Sequence, residues 1–197
     1  MLAELKLGDF LEQLASASPV PGGGAASALA GAAAAALVSM VANLTLGRKK
    51  FETHKVVMEE VLARSETLRR ELLKLADRDM AAFQAVMAAY RMPKDTAAER
   101  AQRDERIQAC LKEAATVPAE VIRLSAEVFE LSEKARRHGN PNAASDAGTA
   151  AALAVAAIHG AALNVFTNLE SINDKEFVQN MRNCLAHSET VRRLISR

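Results

Sequence analysis

Pro19-Val20-Pro21-Gly22-Gly23-Gly24-Ala25-Ala26-Ser27 opens a stretch that carries no charged residue until Arg48. Prolines cannot continue a helix, and glycines admit backbone conformations that other residues resist. A helix that begins here presents bare N–H groups at its tip, where the helix dipole is mildly positive. Such a tip can hold a carboxylate or a phosphate. The design recurs at Gly139-Asn140-Pro141-Asn142, which leads into Ala143-Ala144-Ser145-Asp146-Ala147-Gly148 and a second charge-free, Ala-rich run. Two bare helix starts on two apolar helices read as a binding site.

Composition sets the class. Half of the 197 residues are hydrophobic, much of that alanine, with 4% aromatics and no Trp. Ala, Leu, Glu, Lys, Arg and Met favour helix, and no alternating Val/Ile/Thr pattern marks a strand. The expectation is an all-α fold: a multihelical bundle with two central Ala-rich helices and one long helix, forming a single domain over 1–197. The balance of 25 basic and 24 acidic residues argues against a nucleic-acid partner or an anionic membrane surface. Both Ala-rich runs are long enough to cross a bilayer. Ala and Gly give little drive for insertion, and Ser27, Ser39, Asn43, His159, Asn164 and Asn168 interrupt them. They are read as core helices, with no membrane span. Cys110 and Cys184 form no CxxC and fit a reducing, cytoplasmic compartment, as two packing residues. The four His residues lack metal-ligand spacing, so no metal is expected.

Helices are predicted over 7–17, 24–46, 49–91, 97–115, onward to 137, 145–169, and from a cap at Asn173-Asp174 toward the C-terminus. Gly47 closes the first Ala-rich helix, and Thr96-Ala97-Ala98-Glu99 is a capping box. Pro118 is expected to kink a helix or start a new one.

One carboxylate stands in an unusual place. The stripe Val61, Ser65, Leu68, Leu72, Leu75, Asp79, Ala82, Val86, Ala89 steps by fours and threes along one helix face. Asp79 falls on it, whereas Asp77 reads as a solvated charge. A carboxylate on a core-facing stripe is costly unless paired or put to use. Desolvation raises its pKa and can poise it to move protons near neutral pH. The alternative is a structural ion pair or cap. Asp146 reads equally as an N-cap or as a ligand contact. Asn140 and Asn142 are turn formers, or amides that recognise a heterocycle. Lys50 is a solvated lysine in a basic run, or an anchor for an anion.

At these residues the sequence resembles the cyclodeaminase / methenyltetrahydrofolate cyclohydrolase family, the C-terminal half of formiminotransferase-cyclodeaminase. The resemblance is carried by Pro21-Gly22-Gly23-Gly24, by Met40 to Thr45 with Gly47-Arg48-Lys49-Lys50-Phe51, and by Asp77-Arg78-Asp79-Met80-Ala81-Ala82-Phe83. Met92-Pro93-Lys94, Val117-Pro118, Gly139-Asn140, Ser145-Asp146, Asn164-Val165 and Asn168-Leu169 follow in order. It implies an all-helical homodimer acting on one-carbon forms of tetrahydrofolate, with or without a polyglutamate tail, and with no cofactor beyond that substrate. It places the proton donor/acceptor on Asp79. It implies substrate contacts from Pro21, Gly22, Gly23, Gly24, Ser27, Asn43, Lys50, Asn140, Asn142 and Asp146. Ala25 stands where the family has serine, and Phe51 where it has tyrosine. With only the cyclodeaminase half matched, channelling within one chain is not expected. The first expectation is a formimidoyltetrahydrofolate cyclodeaminase, which forms 5,10-methenyl-tetrahydrofolate and ammonia. The alternatives are a 5,10-methenyl-tetrahydrofolate cyclohydrolase, a folate-binding protein without catalysis, and a purely structural helical dimer.

Overall fold

The structure is a computed structural model, and it describes residues 4–187. Among the described residues six α-helices carry the fold: α1 (Leu7–Leu14), α2 (Gly23–Thr45), α3 (Lys55–Tyr90), α4 (Ala97–His138), α5 (Ala144–Leu169) and α6 (Lys175–His187). Among the described residues there is no strand. The α2 N-cap is Gly22, which has no side chain of its own to cap the helix. It ends at Thr45, and Gly47 turns the chain with φ +76°, a conformation that suits glycine. Lys49–His54 forms a 3₁₀ segment, so α3 starts later than the predicted 49. The Thr96/Glu99 capping box is complete at the start of α4. Asp174 accepts from the Phe177 N–H at 3.0 Å and so caps α6.

The register of the long helices follows from pairs whose numbers rise on one helix as they fall on the next. Ser39 and Ser65 share a hydrogen bond at 2.8 Å, Gly31 faces Leu72, and Gly24 faces Asp79. The helices α2 and α3 are therefore antiparallel. Arg64 pairs with Glu127, and Arg78 with Glu113, which sets α4 antiparallel to α3. Ser27 meets Gly160, and Gly23 meets Asn164, which sets α5 antiparallel to α2. The result is an up-down-up-down bundle. In it, α2 and α4 each pack on the three other long helices, while α3 and α5 lie on opposite flanks.

The stripe on α3 is the core face. Val61, Ser65, Leu68, Leu72, Leu75, Ala82, Val86 and Ala89 are all buried. One expectation is settled against a break: Pro118 does not start a new helix, because α4 runs unbroken past it. Proline removes one N–H and leaves the Ala114 carbonyl without its helical donor. The Asn168 side chain supplies the missing donor, with Nδ2 at 2.7 Å from Ala114 O. The second Ala-rich helix is less enclosed than the first. The apolar window of α2 is 61% buried but that of α5 only 39%, although both are long and apolar enough to cross a membrane. Ala152, Ala156, Leu163 and Phe166 lie on the exposed face of α5.

Candidate active site

A cavity of about 370 Å³ opens at the N-terminal end of α2, between that tip, the C-terminal third of α3 and the last turns of α5. Pro19, Val20, Gly22, Gly23, Gly24, Asp79, Phe83, Val86, Ala114, Leu163, Asn164, Thr167 and Asn168 line it. Three chain segments converge because the register brings them there. Asp79 lies opposite Gly24 along the α2/α3 pair, and Asn164 lies opposite Gly23 along the α2/α5 pair.

The seat of Asp79 depends on glycine. A Cβ built on Gly24 would lie 2.0 Å from Asp79 Oδ1 and 2.6 Å from Oδ2. Only a residue without a side chain lets the carboxylate approach the helix tip this closely. The Ala25 backbone N–H donates to it, which favours the ionised form. Burial works the other way and is the larger effect, so the Asp79 carboxyl sits above the ordinary aspartate value of 3.8. The group can thus shed and regain a proton more easily near neutral pH than a solvated aspartate.

The exposed helix tip is therefore not an empty anion seat. Its anion is the protein's own carboxylate, and a ligand meets the remaining glycine backbone beside it. The other proposed contacts at this end divide. Gly22, Gly23 and Gly24 line the cavity, whereas Pro21 is buried and the adjacent Pro19 and Val20 do the lining. Ser27 is also buried. Its Oγ donates to Gly23 O at 2.7 Å and fills the space left by the missing side chain of Gly160, where a Cβ would come within 2.4 Å.

The remaining proposed residues lie at the opposite end of the bundle. A helix of the length of α2 spans about 33 Å, and Asn140 is bonded to its far terminus. The Asn140 N–H donates to Thr45 Oγ1 at 2.8 Å, and its Nδ2 donates to Leu44 O at 3.3 Å. Its Oδ1 accepts from the Asn142 N–H at 3.1 Å. Asn140 is 4% exposed and ties the α4–α5 turn to the end of α2. Asn142 is exposed on the short 3₁₀ turn Pro141–Ala143. Asp146 stands in the first turn of α5, where the N-cap position is Ala143 and carries no side-chain cap. Asn43 is exposed in the last turn of α2. Lys50 is exposed beyond it, with Nζ 4.6 Å from the centroid of the Phe51 ring. One chain therefore does not bring Asn43, Lys50, Asn140, Asn142 or Asp146 to Asp79.

The cavity adds residues that sequence reasoning did not place in the site: Phe83, Leu163, Thr167 and, above all, Asn164 and Asn168. The available signal was a pair of amides four apart in an Ala-rich helix that carries no Asp, Glu, Lys or Arg after Asp146.

Comparison with known proteins agrees with this architecture. Residues 6–187 match the family described as formiminotransferase-cyclodeaminase. A methenyltetrahydrofolate cyclohydrolase of Methylorubrum extorquens is 46% identical over 170 residues, covering 86% of this chain and 82% of that protein. The formimidoyltransferase-cyclodeaminase of Rattus norvegicus is 30% identical over 92% of this chain, which spans 34% of that longer protein. A crystal structure of formiminotetrahydrofolate cyclodeaminase from Thermotoga maritima superimposes with a TM-score of 0.87 at 37% identity. It covers 100% of this chain and 94% of its own.

Proposed function

The chain belongs to the formiminotransferase-cyclodeaminase family, and from that premise we propose that it is a methenyltetrahydrofolate cyclohydrolase. The observation that carries the reading is the seat of Asp79, a half-buried carboxylate with a raised pKa at the wall of a cavity. Sequence alone puts the cyclodeaminase first. The relative with 46% identity, of similar length to this chain, favours the cyclohydrolase.

The chemistry suits one carboxylate. Asp79 accepts a proton from water as the oxygen adds to the methenyl carbon, which neutralises the cation and leaves a tetrahedral hydroxy adduct. The carboxyl then returns that proton to N5 as the carbon–N5 bond breaks. The hydroxyl proton leaves to solvent, and 10-formyl-tetrahydrofolate forms. A carboxyl whose pKa is raised above the ordinary aspartate value by burial serves both directions of transfer more readily than a solvated one. The cyclodeaminase is the second reading, favoured by the Thermotoga maritima structure. There the same group would take the N10 proton and deliver it to departing ammonia.

An ultraviolet assay with each substrate separates the readings. Accelerated loss of the methenyl absorbance, with none generated from 5-formimino-tetrahydrofolate, is the expected result. Generation of that absorbance from the formimino form would put the cyclodeaminase first. Silence on both would sink both and leave a folate-binding protein.

The working unit in this reading is a homodimer. The outward face of α2 is uncharged, with Ala33, Ala36, Met40 and Leu44 exposed along it. With the two-fold axis perpendicular to α2, the packing of α2 on α2 runs the helices antiparallel. The Lys50 and Asn43 end of one copy then lies beside the Asp79 end of the other, where Lys50 meets the carboxylates of the folate tail.

A further inference from the structure

The proline in α4 and an amide in the cavity are one device. Pro118 leaves the Ala114 carbonyl without its helical donor, and Asn168 Nδ2 fills the gap at 2.7 Å. A carbonyl only accepts, so the Asn168 amide must present nitrogen to it and keep oxygen on its other prong. One turn earlier on α5, Asn164 is held the same way, with Nδ2 donating to Gly160 O at 2.8 Å. Both amides line the cavity, and each has one of its two N–H donors committed to backbone. What the α5 wall offers a ligand at these positions is the amide oxygen and one remaining N–H of each side chain, with no fixed positive charge. The Asp79 carboxylate stands across from them on α3, and no lysine or arginine lines the cavity among the described residues.

We infer that Asn168, oriented by the Pro118 gap, and its neighbour Asn164 are positioning residues that select a cationic one-carbon group and hold it against Asp79. This rests on the folate reading above. Both candidate substrates carry such a group: the methenyl bridge is an amidinium spread over N5 and N10, and the formimino group is an amidinium when protonated. Amide oxygens in a partly desolvated wall attract that charge and accept its N–H bonds where present. They give no such advantage to a neutral formyl group. Asn168 thus does more than repair a helix.

The test separates repair from positioning. The readout is the ratio of the Ki of neutral 5-formyl-tetrahydrofolate to the KM of whichever cationic substrate the wild type turns over. Asn168→Leu should lower that ratio by about tenfold or more, the scale of one lost hydrogen bond to a charged group. The 5-formyl Ki itself should stay unchanged. Asn168→Leu also strands the Ala114 carbonyl and lowers the melting temperature. Adding Pro118→Ala supplies the missing N–H, so the double variant should regain thermal stability without regaining the ratio. If the double variant regains both, or Asn168→Leu keeps the wild-type ratio, Asn168 only repairs the helix and the inference is overturned. If the wild type neither binds nor converts any folate, the functional reading fails, and this inference with it.

Discussion

Gly24 has no side chain, and the space that leaves is where the Asp79 carboxylate sits. Gly24→Ala forces the two apart. Turnover should fall by about a hundredfold or more, the loss expected when a general base leaves its position, and the steady-state rate checks it. The raised pKa of Asp79 has two consequences of known sign. As a base the group must be ionised, so kcat/KM should fall as pH drops through a value above the ordinary aspartate range, not within it. For stability, a carboxyl raised in the folded state favours folding fully while neutral. That contribution is present below the ordinary value of 3.8 and is lost as pH rises through the raised one. Asp79→Asn stays neutral and can still accept from the Ala25 N–H. It should lose most turnover, retain folate binding and melt higher than wild type at pH 7. A lower melting temperature would mean that the carboxylate is held by a favourable charge partner instead.

At the scale of the element, α3 shows one face doing two jobs. Its stripe packs Leu68, Leu72 and Leu75 into the core and, one turn on, presents Asp79 to the cavity. Leu72 is fully buried, with its methyl groups beside Gly31 of α2. Leu72→Ala should cost about 2–5 kcal/mol by the usual cost of a core cavity, measurable by urea unfolding. It should also loosen the register that sets Asp79 over Gly24. The helix α4 carries a different lesson. A proline in a helix interior costs about 3 kcal/mol when nothing compensates. Periodicity along α4 cannot show that Asn168, on another helix, bonds the stranded carbonyl.

The whole molecule places the proposed contact residues at two ends about 33 Å apart along α2. Isologous pairing through the uncharged α2 face, about an axis perpendicular to the helix, would bring opposite ends together. Met40 is 38% exposed on that face, and Met40→Glu should convert a dimer into a folded monomer, as read by sedimentation equilibrium and circular dichroism. A mixing experiment addresses the site itself. Asp79→Asn and Lys50→Ala variants, each weak alone, should regain part of the activity when refolded together, because mixed dimers hold one intact site. No recovery would mean that Lys50 acts outside the site of the partner copy.

The sequence by itself determined the helical class, the glycine-bounded start of α2, the buried stripe of α3 and Asp79 as the carboxylate on it. Each of these is a local signal: propensity, punctuation, or a period of 3.6 residues along one segment. It also carried the family resemblance, because ordered short motifs survive without any knowledge of their contacts. Only the tertiary structure decided which of the marked residues meet. It joined Gly24 and Asp79, whose motifs lie 55 residues apart in the chain, and it sent Asn140 to the far end of α2. It also showed that α5 lies on a flank and that Asn168 completes α4. These facts depend on the register between helices, which is set by side chains interlocking across the core and leaves no periodic trace in any one helix.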